Sequence, residues 1–410
     1  MGIMVKPEEA GLSTERLDRI TRHLQSRYTD PGKVAGTLTM VARRGGIAYL
    51  DARGLMDRER QKPMREDTLF RIYSMTKPIT SVALMMLYEE GHFQLNDPVT
   101  RFIPEWNDLK VYSGGDAPWF LTEHPRSTMT IAHLLTHTSG LSYGFEGTGS
   151  QIDAAYRKQR VGGAGREGST LKEMVQKLAG LPLEFSPGSC WKYSLATDVC
   201  GYLVEVISGR TFEEFLHERI FGPLEMTETA FTVPENAVDR FAACYGRKRD
   251  KTLILTDDPQ TSPYLKRKTF FSGGGGLVST IGDYYRFCRM LLNGGELNGC
   301  RILGPRTIDL MTANHLPDGQ DLTAMARASF SETTNDGVGF GLGFATVLDP
   351  VRSGGIGSPG EYYWGGAAST IFWNDPGEDL TVIFMTQLQP SGTFNFRGQL
   401  KSLVYSAIID

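Results

Sequence analysis

Apolar residues spaced three and four positions apart predict a helix near each end of the chain. Ser13 can cap the first helix, because a serine side chain accepts a hydrogen bond from a backbone N–H of the first turn. The apolar face of that helix consists of Leu17, Ile20, Leu24 and Tyr28. A second helix is predicted over residues 397–409, with an apolar face of Leu400, Leu403 and Ile408.

Strand-like stretches beside these helices predict hairpins. Residues 37–41 and 47–50 flank an Arg-Gly-Gly turn near the N-terminus. Near the C-terminus, strands at 361–373 and 380–387 are joined by Asn-Asp-Pro-Gly, a sequence typical of turns. We therefore predict an antiparallel sheet that the two terminal helices cover.

Between residues 92 and 270 the pattern changes, because short helical segments alternate with prolines, glycines and aromatic residues. One helix ends at Gly209, and a capping box of Thr211 and Glu214 starts the next. The chain is thus predicted to be α+β. Residues 1–91 and 271–410 form an α/β domain around the antiparallel sheet, and residues 92–270 form a mostly helical inserted domain.

The composition is that of an ordinary globular protein, with 410 residues, 40% of them hydrophobic and 22% charged. A net charge of -4 gives no overall attraction to nucleic acid or to an anionic membrane. The longest basic run, residues 247–249, is interpreted as a solvated loop. Five scattered cysteines without a Cys-x-x-Cys pair, and no signal peptide or transmembrane run, lead us to expect a cytosolic protein.

The candidate chemistry centres on residues 70–79, which contain Ser74-x-x-Lys77. Pro78 fits only the first turn of a helix, so Ser74 lies at or just before a helix start, and Lys77 returns to the same face one turn later. A serine hydroxyl becomes a good nucleophile when a neighbouring base takes its proton. A lysine can be that base when burial or nearby positive charge lowers its pKa. The alternative is a serine cap followed by a surface lysine.

Two other patterns compete for these roles. Ser142 lies in a Gly-x-Ser-x-Gly match, but that motif needs a strand before it and a helix after it, and neither is predicted here. We interpret Ser142 as a loop serine. His133 and His137 have zinc-ligand spacing without a third ligand, so we interpret them as a structural pair. A Ser-His-Asp triad built on either histidine stays open, because triad members are distant in sequence.

Two further stretches favour Ser74. Tyr193 precedes a predicted helix, and its phenol could share a proton with Lys77, although a packed aromatic is the commoner role. Residues 363–367, Tyr-Trp-Gly-Gly-Ala, are predicted to lie in a strand. Paired glycines inside a strand mark a bulge or the close approach of a ligand or backbone, so a backbone N–H there could bind an acyl oxygen.

Together and in this order, these stretches resemble the serine β-lactamase and penicillin-binding-protein superfamily. More narrowly, they resemble its family VIII carboxylesterases, which are similar to class C β-lactamases. The resemblance extends over residues 10–405 and includes His-Leu-Leu-Thr-His-Thr-Ser-Gly-Leu at 133–141, Phe-Ser-Pro-Gly at 185–188 and the glycines of 273–277. It implies the β-lactamase/transpeptidase-like fold, an α/β sandwich with an inserted helical domain and a site between the two.

The resemblance also implies the roles of individual residues. Ser74 would be the nucleophile, Lys77 the adjacent base and Tyr193 the tyrosine of the Tyr-x-Asn motif. The oxyanion hole would be the backbone N–H groups of Ser74 and Ala367. The resemblance implies no metal and no cofactor. The expected partner is a small ester, and the oligomeric state stays open.

Two departures from the β-lactamase pattern favour esters as substrates. The Tyr-x-Asn position ends in Leu195, and Trp364-Gly365-Gly366 stand as substrate-binding residues where Lys-Thr-Gly is usual. Losing a charge-assisted partner for the carboxylate of a β-lactam costs roughly 1.5–3 kcal/mol. The resemblance therefore implies a carboxylesterase for short-chain esters that forms an acyl-enzyme, with weak β-lactam turnover as a side activity. The alternatives are a β-lactamase or D-amino-acid peptidase of the same fold, and a non-catalytic binding protein.

We expect Ser74→Ala to abolish ester hydrolysis and Ser142→Ala to retain most of it, because only Ser74 has a base one turn away and a helix start beside it. Steady-state rates on an aryl ester, with thermal melts to confirm folding, test this expectation. A folded Ser142→Ala variant without activity would contradict it.

Overall fold

The computed structural model describes residues 2–144, 150–162, 168–326 and 336–410. Its α-helices are α1 (Thr14–Leu24), α2 (Thr76–Glu89), α3 (Ile131–Leu135), α4 (Gln151–Gln159), α5 (Leu171–Ala179), α6 (Ala196–Ser208), α7 (Phe212–Leu216), α8 (Ile281–Leu292), α9 (Pro305–Thr312), α10 (Leu322–Met325) and α11 (Phe396–Tyr405). Its strands are β1 (Gly36–Arg43), β2 (Gly46–Asp57), β3 (Lys62–Pro63), β4 (Leu69–Arg71), β5 (Val111–Asp116), β6 (Trp119–Glu123), β7 (Cys244–Arg247), β8 (Leu253–Asp257), β9 (Val278–Thr280), β10 (Glu296–Leu297), β11 (Cys300–Arg301), β12 (Val338–Phe340), β13 (Ala345–Val347), β14 (Tyr362–Gly365), β15 (Ile371–Asp375), β16 (Leu380–Met385) and β17 (Leu388–Gln389).

An eight-stranded antiparallel sheet forms the centre of the fold, in the order β12-β13-β14-β15-β16-β1-β2-β3. Strand β1 lies between β2 and β16, so the two ends of the chain meet in the middle of the sheet. The residues of β1, β14, β15 and β16 are buried throughout. Strands buried in this way must be covered on both faces.

Helices cover both faces of the sheet. On one face, Phe396 of α11 packs against Phe384 of β16 with ring centres 4.9 Å apart, and α1 packs on α11. On the other face, Tyr284 of α8 lies 5.2 Å from Phe372 of β15. These are opposite faces, because Phe372 pairs with Ile383, the neighbour of Phe384, and successive strand residues alternate in direction. The predicted cover by both terminal helices is confirmed, and α8 completes the second face.

Several local predictions are confirmed. Ser13 caps α1 by accepting a hydrogen bond from the Arg16 N–H, and the hairpin β1–β2 forms around Arg44 and Gly45, both with positive φ. Two boundaries were wrong. The strand predicted over 361–373 is two strands, β14 and β15. The C-terminal helix ends at Tyr405, because the chain beyond it forms a bridge with the segment before α1.

The split of the predicted strand has a local cause. After β14 the chain reverses through a turn in which the Ser369 N–H donates to the Gly366 carbonyl at 2.9 Å. Ser369 has a φ of 65°, in the left-handed region that tight turns require. This turn was not predicted because the stretch around it is apolar. Strands β14 and β15 pair with each other as an antiparallel hairpin.

Residues 92–270 contain α3 to α7, as expected, and also the hairpins β5–β6 and β7–β8. Strand β7 pairs in parallel with β17, which links this segment to the C-terminal part of the chain. The division into two domains at residues 91 and 270 stays a prediction. Within the described residues, no helix combines the length and the apolar character needed to cross a bilayer.

Candidate active site

Ser74 lies where a strand turns into a helix. Strand β4 pairs with β9, and the chain then passes through a 3₁₀ turn at Tyr73–Met75 into α2, which confirms the predicted helix start. Tyr73 has a φ of 42°, a conformation that costs a non-glycine residue on the order of 1–3 kcal/mol and persists where the surroundings enforce it. This turn presents Ser74 at a helix N-terminus, where backbone N–H groups favour negative charge.

Lys77 lies one turn further along α2, and the protein encloses its amine. The side chain is 1% exposed. Its Nζ donates to the Gly274 carbonyl at 2.7 Å and lies 3.4 Å from both Ser74 Oγ and the Tyr143 hydroxyl. The same amine lies 4.3 Å from the centre of the Tyr193 ring. The amine is therefore held beside the serine by contacts on several sides.

Tyr193 completes the group from a distant part of the chain. Its hydroxyl donates to Ser74 Oγ at 2.6 Å across a separation of 119 residues. Its ring stacks on that of Tyr143 at 5.4 Å. The structure thus brings both Lys77 and Tyr193 within hydrogen-bond reach of Ser74 Oγ, which is the geometry that a nucleophile and its proton acceptors require.

Ala367 lies beside this group, in the turn after β14. Strand β14 contacts the Tyr73–Met75 turn, and Ala367 and Ser74 line the same cleft. Within the described part of the chain, neither the Ser74 N–H nor the Ala367 N–H donates a hydrogen bond. Both donors are therefore available to an acyl oxygen, as the predicted oxyanion hole requires.

The paired glycines predicted a bulge or the close approach of a ligand or of backbone. In the structure, the backbone of another segment approaches Gly366 closely. A Cβ on Gly366 would clash with the carbonyl oxygen of Ile72, two residues before Ser74. Glycine is needed here because the strand end packs directly on the chain that leads to the serine.

The cleft above Ser74 has a volume of about 930 Å³. Its lining includes Ser74, Tyr143, Tyr193 and Ala367. Further aromatic residues of the lining are Tyr73, Phe231, Tyr264 and Phe270. This volume falls within the range of small-molecule sites.

A family model named Beta-lactamase matches residues 18–405. The chain belongs to the β-lactamase family. It is 38% identical to Protein Rv1367c of Mycobacterium tuberculosis (strain ATCC 25618 / H37Rv) over 364 residues, 88% of each chain. It is 32% identical to Esterase EstB of Burkholderia gladioli over 380 residues, again 88% of each chain.

A solved structure titled "EstCE1, a hydrolase with promiscuous acyltransferase activity" matches with a TM-score of 0.80 and 26% identity, covering 95% of this chain and 99% of that chain. These findings confirm the resemblance to family VIII esterases and the β-lactamase/transpeptidase-like fold. This β-lactamase family member is a serine hydrolase, and ester hydrolysis is supported at the level of the family.

In this β-lactamase family member, the residues at the Lys-Thr-Gly position do not line the cleft. Substrate contact was predicted for Trp364, Gly365 and Gly366, but all three are buried, and Trp364 is 0% exposed. The Trp364 ring packs behind Tyr193 with ring centres 5.6 Å apart. The indole of Trp364 therefore supports the Tyr193 ring, and Ala367, directly after Gly366, is the residue of this stretch that lines the cleft.

Three residues that the sequence analysis did not single out complete the site. The Gly274 carbonyl accepts from Lys77, and Tyr143 lies beside Lys77 and Tyr193. Asp198, fully buried on α6, accepts from the Gly274 N–H at 3.0 Å and so holds the glycine in place. Burial raises the pKa of the Asp198 carboxyl, and the nearby charge of Lys77 opposes that rise. The glycine run of 273–276 and the Gly-x-Ser-x-Gly match were the available signals for Gly274 and Tyr143.

The competing candidates have structural roles. Ser142 is buried and donates a hydrogen bond to Asp153. His133 Nδ1 accepts from the Thr130 N–H in a capping box, and His137 contacts Ser194 and Thr197. Burial, reinforced by the charge of Lys77, holds the pKa of His137 well below its usual value. In the described segments neither histidine bonds to Ser74 or Ser142, and neither bonds to a carboxylate, so no Ser-His-Asp triad is built on them there.

Gly274→Ala should lower ester turnover while leaving the protein folded. A Cβ at this position would lie 2.5 Å from Asp198 Oδ2 and 3.1 Å from the Tyr143 hydroxyl, so the segment must shift and carry the acceptor of Lys77 with it. Misplacement by about 1 Å near reacting atoms costs on the order of 10²-fold in rate, and we expect kcat on an aryl acetate to fall by roughly that factor.

The matched control is Gly180→Ala. A Cβ there meets only the Lys177 carbonyl, at 3.7 Å, and the φ of -92° suits alanine. Equal turnover by the two variants, both folded by thermal melt, would show that the Gly274 contact does not position the lysine.

Proposed function

We propose that this protein is a carboxylesterase that hydrolyses short-chain carboxylic esters through a covalent acyl-enzyme on Ser74. The supporting observation is the placement of Ser74 Oγ 2.6 Å from the Tyr193 hydroxyl and 3.4 Å from Lys77 Nζ. The similarity to a protein named Esterase EstB supports the same reaction class.

In the proposed mechanism, Ser74 Oγ attacks the ester carbonyl, and its proton passes to the pair formed by Lys77 and Tyr193. The carbonyl oxygen becomes an oxyanion, which the N–H groups of Ser74 and Ala367 stabilise. The pair returns the proton to the leaving alcohol as the bond between carbonyl carbon and alcohol oxygen breaks. Water then attacks the acyl-enzyme, gives a proton to the pair, and Ser74 recovers a proton as the acid leaves.

The alternative reaction in the same fold is the hydrolysis of β-lactams or of D-amino-acid peptides. Leu195 stands where the Tyr-x-Asn motif has its amide, and Trp364 is buried where the Lys-Thr-Gly motif has its cation. A β-lactam carboxylate would therefore lack a charged partner at that position, which disfavours this class.

Kinetics with two chromogenic substrates separate the two reactions. We expect kcat/KM for an aryl acetate to exceed that for a cephalosporin by about 10-fold to 100-fold. This factor corresponds to the loss of one charge-assisted hydrogen bond. Faster turnover of the cephalosporin would favour the β-lactamase alternative. A fluorophosphonate probe that leaves Ser74 unlabelled by mass spectrometry would favour a non-catalytic binding protein.

If Lys77 and Tyr193 act as a pair, the losses of turnover caused by their single substitutions should not add in the double variant. Tyr193→Phe keeps the ring, which packs on Tyr143 and Trp364, and removes only the hydroxyl, so turnover should fall roughly 10²–10⁴-fold without loss of folding. Turnover by Lys77→Ala should fall at least as far. Turnover by the double variant should be little lower than that of the worse single variant, because the two residues act as one unit. Steady-state rates on an aryl ester with thermal melts measure this. Near-normal turnover by Tyr193→Phe would remove the phenol from the mechanism.

A further inference from the structure

The cleft that contains Ser74 also carries two cations that the proposed mechanism does not use. Arg247, the last residue of β7, and Lys268, in the loop after the 3₁₀ turn Pro263–Leu265, both line it. The other charged residue of the described lining is Asp257, whose carboxylate accepts a hydrogen bond from the buried Arg71 guanidinium at 2.7 Å. The positive charge of Arg71 balances the negative charge of Asp257. The described lining of the cleft therefore has an excess of positive charge, in a chain whose net charge is -4.

Arg247 has an unused donor at this wall. Its Nε is buried and has no hydrogen-bond partner within the described residues. Its guanidinium carbon lies 4.9 Å from the centre of the Phe394 ring, within the range of a cation–π contact. A buried donor without an acceptor is unfavourable, so Arg247 gains from any ligand oxygen that comes within hydrogen-bond distance of its guanidinium. Guanidinium groups bind carboxylates through two parallel hydrogen bonds, so a carboxylate matches this donor best.

Lys268 supplies a second positive charge. Its Nζ donates to the Pro263 carbonyl at 2.5 Å and lies 5.2 Å from the Tyr264 ring centre, so one of its three N–H groups is engaged by that carbonyl. Burial lowers the pKa of Lys268, and the Asp257 charge opposes that shift. Each lining cation is part of a basic run with exposed neighbours, Lys248 and Arg249 in one run and Lys266 and Arg267 in the other. Such runs attract anions to the mouth of a cleft.

We propose that this cleft selects esters that carry a carboxylate, which Arg247 and Lys268 bind while the ester carbonyl lies at Ser74. The inference rests on the proposed esterase function and narrows its substrate class. It differs from β-lactam recognition in position, because these cations come from β7 and the loop around Lys268, whereas the Lys-Thr-Gly position holds the buried Trp364. The carboxylate can belong to the acyl group or to the alcohol, and the two arms of the experiment distinguish these cases.

The experiment compares matched anionic and neutral esters. In the acyl arm, the mono-4-nitrophenyl ester of adipic acid is compared with 4-nitrophenyl hexanoate, which has the same chain length without the charge. In the alcohol arm, 4-acetoxybenzoate is compared with its methyl ester. We expect the anionic ester of one arm to have a kcat/KM about 10-fold to 100-fold above its neutral partner at low salt, and the preference to shrink as salt screens the charges.

Substitution of Arg247 and of Lys268 tests whether these two cations cause the preference for the anionic ester. Arg247→Gln and Lys268→Gln should each remove much of it, lowering kcat/KM for the anionic ester about 10-fold while that for the neutral ester stays within about twofold. The matched control is Arg249→Gln, which removes an exposed charge of the same basic run that does not line the cleft. Thermal melts confirm that each variant is folded.

The outcomes separate this inference from the proposed function. If the neutral esters are turned over in a Ser74-dependent way but the anionic esters are not preferred, or Arg249→Gln removes the preference as fully as Arg247→Gln, carboxylate selection at these residues is wrong and the esterase function stands. If no ester of either arm is turned over, both are wrong.

Discussion

Burial of the Lys77 amine is the constraint on which the rest of the site depends. An amine withdrawn from water must find its hydrogen-bond partners in the protein, since leaving them unmade costs several kcal/mol. Gly274 supplies a carbonyl at 2.7 Å, and this fixes residues 272–276 against the start of α2. A second link, from the Thr80 hydroxyl to the Gly273 carbonyl at 2.8 Å, ties the same segment to the next turn of α2. The position of the Lys77 amine and the path of residues 272–276 therefore depend on each other.

That segment in turn requires Asp198. Its Oδ1 accepts from the Ser272 hydroxyl at 2.6 Å and from the Gly274 N–H at 3.0 Å, so α6 holds the loop whose carbonyl holds Lys77. A buried carboxylate alone would be costly, and the raised pKa of Asp198 reflects that burial, while the charge of Lys77 opposes it. The two buried groups thus support each other through the Gly274 peptide, and removing either would leave the other uncompensated. This dependence joins α2, α6 and the loop before β9 into one unit around Ser74.

Sequence patterns predicted those parts of the molecule in which neighbours in the chain are also neighbours in space. The Ser13 cap, the capping box of Thr211 and Glu214, and the helix start after Ser74 are local, and the structure has them. The turn between β14 and β15 was missed because Gly-Gly-Ala within an apolar run gives no clear turn signal. Asp198 was missed for a different reason: its function depends on burial and on a loop 76 residues away, and a single sequence shows neither. Local sequence offered Tyr193 as a candidate partner of Lys77, and the resemblance to a family assigned it to the same site as Ser74, 119 residues away.

The exchange of lysine for tryptophan at the Lys-Thr-Gly position changes where charge can act on a substrate. Trp364 is buried behind Tyr193, so the turn after β14, which carries Ala367, presents no cation to the cleft. Lys77 cannot substitute for the lost lysine, because its amine is committed to Gly274 and Ser74. Among the described residues that line the cleft, the positively charged ones are then Arg247 and Lys268. In such a site the proton chemistry and the recognition of charge are carried by different segments of the chain, and each can change without the other.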